Sequence, residues 1–360
     1  MSGNMFFRNC EQNALFNIAS SLNFNDRYNF SVISKTLLEK VFEKYQHQKI
    51  ININYKEYEK IDKYPNMNFY IKNYYMHNNL SNHMQKKILK KIINAYGIDL
   101  YEINIHDMSI FKNLYKVHLC MTNTTDLDIS KLTNIRVLHI NSCKNIHNIP
   151  YLKHLHTFLL TNNDNVSNIS NLSHVKNIKF NNCFKIINFE PIKNINYLDL
   201  YSHDKKNIST LTNIKYLKLH SYQDISSLLN IKVLIFSAIS KFYRDGFFIL
   251  PIINYETLIL KYFNINNNDL FNIHSCKIKH LILFNCNKIT KMPIFDNLEQ
   301  ISIYHCRKIS DISNLNLSPK LKIINTDRYK KLNYTNLTNI KQINMNKSFK
   351  KMISKYPNFN

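Results

Sequence analysis

Glycine is nearly missing from this chain, with three in 360 residues. Phosphate-gripping loops, dinucleotide fingerprints and tight-turned β-sandwiches need positive φ at several positions, which glycine supplies at least cost. No GxGxxG, GxxxxGKS/T or GxSxG occurs. Acidic residues are scarce, 24 against 48 Lys and Arg, and no carboxylate pair or Ser/His/Asp order stands out; an enzyme is therefore not expected. No stretch approaches the ~18 consecutive apolar residues of a membrane span. The opening MSGNMFFRNCEQNALF has no charged segment leading into an apolar core, so no signal peptide is expected. Seven cysteines, an odd number without a CxxC, suggest neither a disulfide scaffold nor a zinc ribbon. His274, Cys276 and His280 lack the spacing of a closed metal site. No cofactor or metal is expected, and the setting expected is the reducing cytoplasm.

What is present is a 44% hydrophobic chain, large enough for a sizeable core and too apolar for wholesale disorder. Its formal charge of +24 comes mostly from Lys spread among Asn, Ile and Tyr, the mixture that AT-rich coding produces. Without a dense basic run, a dedicated nucleic-acid site is not expected.

The strongest signal is a repeat near 20 residues. Units begin at Leu114, Ile135, Leu155, Val175, Ile195, Ile214, Ile231, Tyr255, Ile278, Leu298, Leu321 and Ile340. Each reads apolar-x-x-apolar-x-apolar, as in Ile135, Leu138 and Ile140. The last two positions alternate as a strand with one buried face requires. Further apolar residues close each turn (Ile146, Ile149) or precede the strand (Leu152, Leu172, Ile192). About seven apolar side chains per turn can be buried only by stacking on neighbouring turns.

This pattern resembles the leucine-rich repeat family in its short class, over roughly residues 100–346. The resemblance implies an α/β solenoid of about twelve repeats with Cys or Asn in the turn after each strand. Cys143, Asn163, Cys183, Cys286 and Cys306 stand there. It also implies a concave recognition face built from the strand residues between the buried ones. On that face the candidates are His139, Tyr197, Asp199, Tyr201, Tyr216, Lys218, His220, Ile235, Tyr262, Phe284 and Tyr304. Large rigid side chains of this kind suit a protein target, although strand positions favour aromatic and β-branched residues in any case.

The front of the chain is different. Leu15, Ile18 and Leu22 fit one helical stripe, Asn25 is a candidate N-cap, and Phe30, Val32 and Ile33 continue in a second short helix. LFNIASSLNFNDRYNFSVISK resembles the F-box pattern, with CEQN where that family has Leu-Pro and no Trp anywhere in the chain. The resemblance implies that Leu15, Ile18, Leu22, Phe30, Val32 and Ile33 dock on the adaptor subunit of a cullin–RING ubiquitin ligase while the repeats hold a target. The alternative is that the same helices serve only as a hydrophobic cap, leaving a bare scaffold that sequesters a protein partner. A basic solenoid on an acidic surface is the third reading. The expected organisation is an F-box-like cassette at 1–45, a linker or helical cap at 46–99, repeats at 100–346 and a C-terminal cap or tail at 347–360. The combined style resembles gene families of large cytoplasmic DNA viruses, notably insect poxviruses, whose setting is the host-cell cytoplasm.

Overall fold

The computed structural model describes residues 51–54, 69–75, 96–101, 108–121, 127–201, 206–221, 223–237, 255–262, 265–273, 276–326 and 337–344. Strands form because every turn returns an alternating segment to the same edge. They run β1 (Ile51–Asn54), β2 (Phe69–Tyr75), β3 (Gly97–Tyr101), β4 (Lys116–Cys120), β5 (Val137–Asn141), β6 (Thr157–Thr161), β7 (Asn177–Asn181) and β8 (Tyr197–Tyr201). They continue as β9 (Tyr216–Leu219), β10 (Val233–Ser237), β11 (Thr257–Lys261), β12 (His280–Phe284), β13 (Gln300–Tyr304), β14 (Ile323–Thr326) and β15 (Gln342–Asn344). All fifteen make one sheet in chain order, and every neighbouring pair is parallel. This is a parallel β-solenoid, and β4–β15 match the twelve repeat starts one for one. Three strands precede them, among them Ile51–Asn54 within the KIININY segment.

One turn shows how the core is made. Leu138, Ile140, Cys143, Ile146, Ile149, Leu152 and Leu155 are all buried in the single cluster that runs along the array. Each such side chain contributes ~1.5–3 kcal/mol when withdrawn from water, but only because the turns above and below supply the covering surface. The Cys and Asn positions tie the turns together. Cys143 Sγ donates to Leu119 O, Cys183 Sγ to Leu160 O and Cys286 Sγ to Leu260 O. Asn163 Nδ2 reaches Cys143 O at 2.8 Å while its Oδ1 accepts from the Asn165 and Val166 amides. Cys143, Cys183, Cys286 and Cys306 are buried free thiols.

One expectation needs correction. Among the described residues the only α-helix is α1 (Asn267–Ile273), and the other helical turns are short 3-10 pieces such as Ile129–Lys131 and Ser170–Leu172. The described array is thus a β-solenoid with little helix and not an α/β one. A 20-residue turn that spends five residues on a strand and two more stretches on buried turn positions has no room for an ordinary return helix. The scarcity of glycine also does not mean a scarcity of left-handed backbone. Met121, Ser142, Asn162, Asn182, Tyr262, Asn285 and His305 all have φ between 49° and 56°. Each stands one residue past a strand, where the chain swings out of the sheet. At six of these corners the amide donates to the end of the next strand, as Asn162 N does to Asn181 O at 2.8 Å. Asn tolerates this conformation best after glycine, which gives part of the asparagine content a structural reason.

The proposed docking residues Leu15, Ile18, Leu22, Phe30, Val32 and Ile33, with the whole 1–45 cassette and the 347–360 tail, lie outside the described residues.

Candidate partner-binding face

Strand residues alternate between the core and the open face of the sheet, and in-register parallel pairing lines up the outward ones in files. The middle file is continuous through thirteen strands: Asp99, His118, His139, Leu159, Lys179, Asp199, Lys218, Ile235, Ile259, Ile282, Ser302, Asn325, Asn344. It changes chemistry along its length. The first seven carry charge or imidazole except at Leu159, the next three are isoleucine, and the last three are joined by side-chain hydrogen bonds. Asn325 Nδ2 donates to Ser302 Oγ and Asn344 Nδ2 to Asn325 Oδ1, both at 2.9 Å.

Asp199 is the electrostatic centre. Its side chain is 2% exposed, with Lys218 Nζ at 2.9 Å, Lys179 Nζ at 3.4 Å and His220 Nε2 at 3.0 Å. Burial alone would raise its pKa, yet the His220 hydrogen bond and the two ammonium groups hold it well below the carboxylate range. Tyr197, beside it, is pushed far upward by burial and then by the Asp199 charge. His139 stacks on His118 and is held near 3, first by burial and then by the positive field of His118 and Lys179. It is neutral at physiological pH.

Towards β13 the face turns apolar. Val233, Ile235, Ile259, Ile282 and Tyr304 form a second buried cluster, separate from the core, with Tyr216 and Phe284 packed against it. Beyond the strand ends, Tyr262 meets Phe284 edge to face at 5.3 Å, and Phe284 meets His305 at 5.1 Å. Lys261 Nζ lies 5.2 Å from the Tyr262 ring centre and 5.7 Å from that of Phe284, within cation–π range. Between this corner and Asp199 the face sinks into an open hollow of about 490 Å³, lined from β7 to β11 by residues including Lys179, Asn181, Tyr201, Lys218, Ile235 and Lys261.

The eleven residues read as recognition candidates fall on one face, but not with equal access. Tyr197, Asp199, Ile235 and Tyr304 are buried, and His139, Tyr201, Tyr216, Lys218, His220 and Phe284 are half-buried. Tyr262 is 44% exposed. The sequence reading left out Asp99, Leu159, Ser302, Asn325 and Lys261. The signal was available in the 20-residue register, which puts each in file with a named candidate. Among the described residues no group of His, Cys, Asp or Glu is arranged to hold a metal, and no helix is long and apolar enough to cross a membrane.

No protein-family model and no curated protein matches this sequence. Solved structures do resemble it. An internalin (InlF) from Listeria monocytogenes is 19% identical over 74% of this chain and 86% of its own, with a TM-score of 0.38. A leucine-rich-repeat protein of Leptospira interrogans is 17% identical over 83% of this chain and 88% of its own, with a TM-score of 0.42. At those values the likeness carries no inference about what this chain binds.

Proposed function

We propose that this protein is a non-enzymatic recognition scaffold that holds a protein partner on the open face of its sheet. The hollow across β7–β11 is the observation that carries the reading. It presents charged, amide, aromatic and aliphatic side chains from five adjacent strands on one rigid frame, which is the mixture found in specific protein interfaces. Because these side chains are locked by the strands, little conformational entropy is lost on binding.

The finer form of the proposal rests on the F-box resemblance of residues 14–42. In it the front segment joins the chain to a cullin–RING ligase adaptor, and the partner on the sheet is the ligase target. Affinity purification of tagged full-length protein with mass spectrometry tests both levels. Adaptor and cullin peptides that vanish when residues 1–45 are deleted support the ligase form. A protein partner retained by the deleted chain, with no adaptor on either, leaves the scaffold and removes the ligase. The alternative role of residues 1–45 as a cap predicts that the deleted chain aggregates, because the end of the array is then uncovered.

A further inference from the structure

Leu159 and Ile259 hold the same place in their turns, the middle of a strand with the side chain on the open face. Leu159 is half-buried, whereas Ile259 is 0% exposed although it lies outside the main core. The contrast runs along the face. From β10 to β14 the open-face residues Val233, Ile235, Ile282, Ser302, Tyr304 and Asn325 are all buried, Ser302 and Asn325 completely. Side chains on a strand stand roughly perpendicular to the sheet, so neighbours in one layer wall each other in without covering the tops. Tyr304 is the longest of the six, and its hydroxyl oxygen is shielded as well. A second layer over β10–β14 accounts for this burial, and its end accounts for the half-buried state of His118, His139, Leu159 and Lys179 further back.

The structure holds one chain, and chain length limits which of its segments can supply that layer. The return from β10 to β11 spans 238–256, six residues more than the shortest return, 220–232. Six residues, out and back, reach ~10 Å at ~3.4 Å per residue. That falls short of β13, three strand spacings of ~4.8 Å away. The return from β14 to β15, 327–341, has two residues to spare. Residues 1–50 join the sheet at β1, twelve spacings or ~58 Å from β13 along the sheet. Residues 345–360 begin beside β14. Their sequence also fits the face. Met345, Phe349, Met352, Ile353 and Tyr356 recur at three and four residues, Lys347, Lys350, Lys351 and Lys355 fall between them, and Pro357 stops the pattern. A twelve-residue helix measures ~18 Å, and β10 to β14 measures ~19 Å.

We infer that residues 345–356 lie as an amphipathic segment across the open face from β14 to β10, with the apolar stripe on Ile235, Ile259, Ile282 and Tyr304 and the lysines outward. The chain thereby occupies the apolar half of its own face and leaves a partner the polar half and the Tyr262 corner. A partner that needs the apolar half must displace the segment. This docking does not depend on the scaffold reading above.

The test is thiol protection in the full-length chain. Ser302→Cys and Leu159→Cys variants are pulsed with iodoacetamide and read site by site by mass spectrometry, with the buried Cys183 as the folding control. The thiol of Ser302→Cys should be modified at least tenfold more slowly than that of Leu159→Cys. Adding Phe349→Ser and Ile353→Ser should raise the Ser302→Cys rate at least tenfold and leave the Leu159→Cys and Cys183 rates unchanged. A synthetic 345–360 peptide should restore the protection. If the double change loosens the fold, seen as modification of Cys183, Phe349→Ser alone with the peptide decides. Protection of Ser302→Cys that persists through the tail substitutions assigns the cover to another segment, such as 1–50, and overturns the inference. Equal rates for Ser302→Cys and Leu159→Cys with the tail unaltered would show an uncovered face and overturn it as well. Both outcomes leave the scaffold proposal standing, since that proposal is tested by partner capture.

Discussion

His139 lies flat on His118, with ring centroids 4.0 Å apart and planes 6° from parallel, and His118 Nδ1 is 3.2 Å from Asp99 Oδ1. The stack begins the polar half of the middle file and makes stability depend on pH. His139 titrates near 3 in the folded protein and near ~6.5 when unfolded. Between those values the unfolded chain binds a proton that the native state refuses. Stability should therefore fall as pH drops below ~6.5, by at most ~1.4 kcal/mol per unit for this one group. Urea melts of the wild type and of His139→Phe at pH 7 and pH 5 measure it. The variant should lose less stability between the two pH values, and equal losses would contradict the assignment.

Asp199 acts in a different window. Its folded pKa is depressed, so its contribution is complete above ~4 and disappears as pH falls through the folded value. Removing the carboxylate leaves Lys179 and Lys218 facing one another without their bridge. Asp199→Ala should cost ~3–5 kcal/mol, in the range found for breaking buried pairs, measured by chemical denaturation at pH 7. A cost under ~1 kcal/mol would mean that the cluster is solvent-screened.

Met121 offers a gain. It is 43% exposed at φ 51°, so its side chain contributes little packing to offset the left-handed strain of ~1–2 kcal/mol. Met121→Gly should raise stability by ~0.5–1 kcal/mol after the added chain entropy of glycine is subtracted. Loss of stability would show that the exposed thioether makes contacts of real value.

Cys183 tests the ladder. Burial pushes its thiol up to about 11, and its Sγ donates to Leu160 O and Asn181 O. Cys183→Asp should destabilise the array by several kcal/mol, because the new charge is buried without a partner. The native thiol should react slowly with iodoacetamide until urea is added; rapid native alkylation would contradict its place in the turn.

The repeating part of the fold was legible because twelve starts share one apolar signature, and a signature that recurs must bury itself the same way each time. Cys143, Cys183, Cys286 and Cys306 could be placed because the resemblance to leucine-rich repeats implies Cys or Asn in the turn after each strand. The early strands β2 and β3 were harder to see, since 69–75 and 97–101 are separated from one another and from β4 by unequal steps. The left-handed corners were hidden by the lack of glycine, because Asn, Ser and Met there look like ordinary loop residues. On the open face, alternation named Lys218 and Ile235 alike. It could not tell that Ile235 closes into an apolar cluster with Ile259 and Ile282 while Lys218 pairs with the buried Asp199. That difference arises between strands 17 to 24 residues apart in sequence, where only register brings neighbours together.

The claim that the open face holds the partner is tested most directly by comparing two triple variants in quantitative affinity purification. One carries Tyr201→Ala, Lys261→Ala and Tyr262→Ala on the open face. The other carries Tyr151→Ala, Ile187→Ser and Leu229→Ser, exposed apolar residues outside the strands. Proteins enriched by the wild type should be lost from the first variant and kept by the second, with both variants melting as the wild type does. Retention by the open-face variant together with loss from the other would place the partner elsewhere on the solenoid and contradict the account.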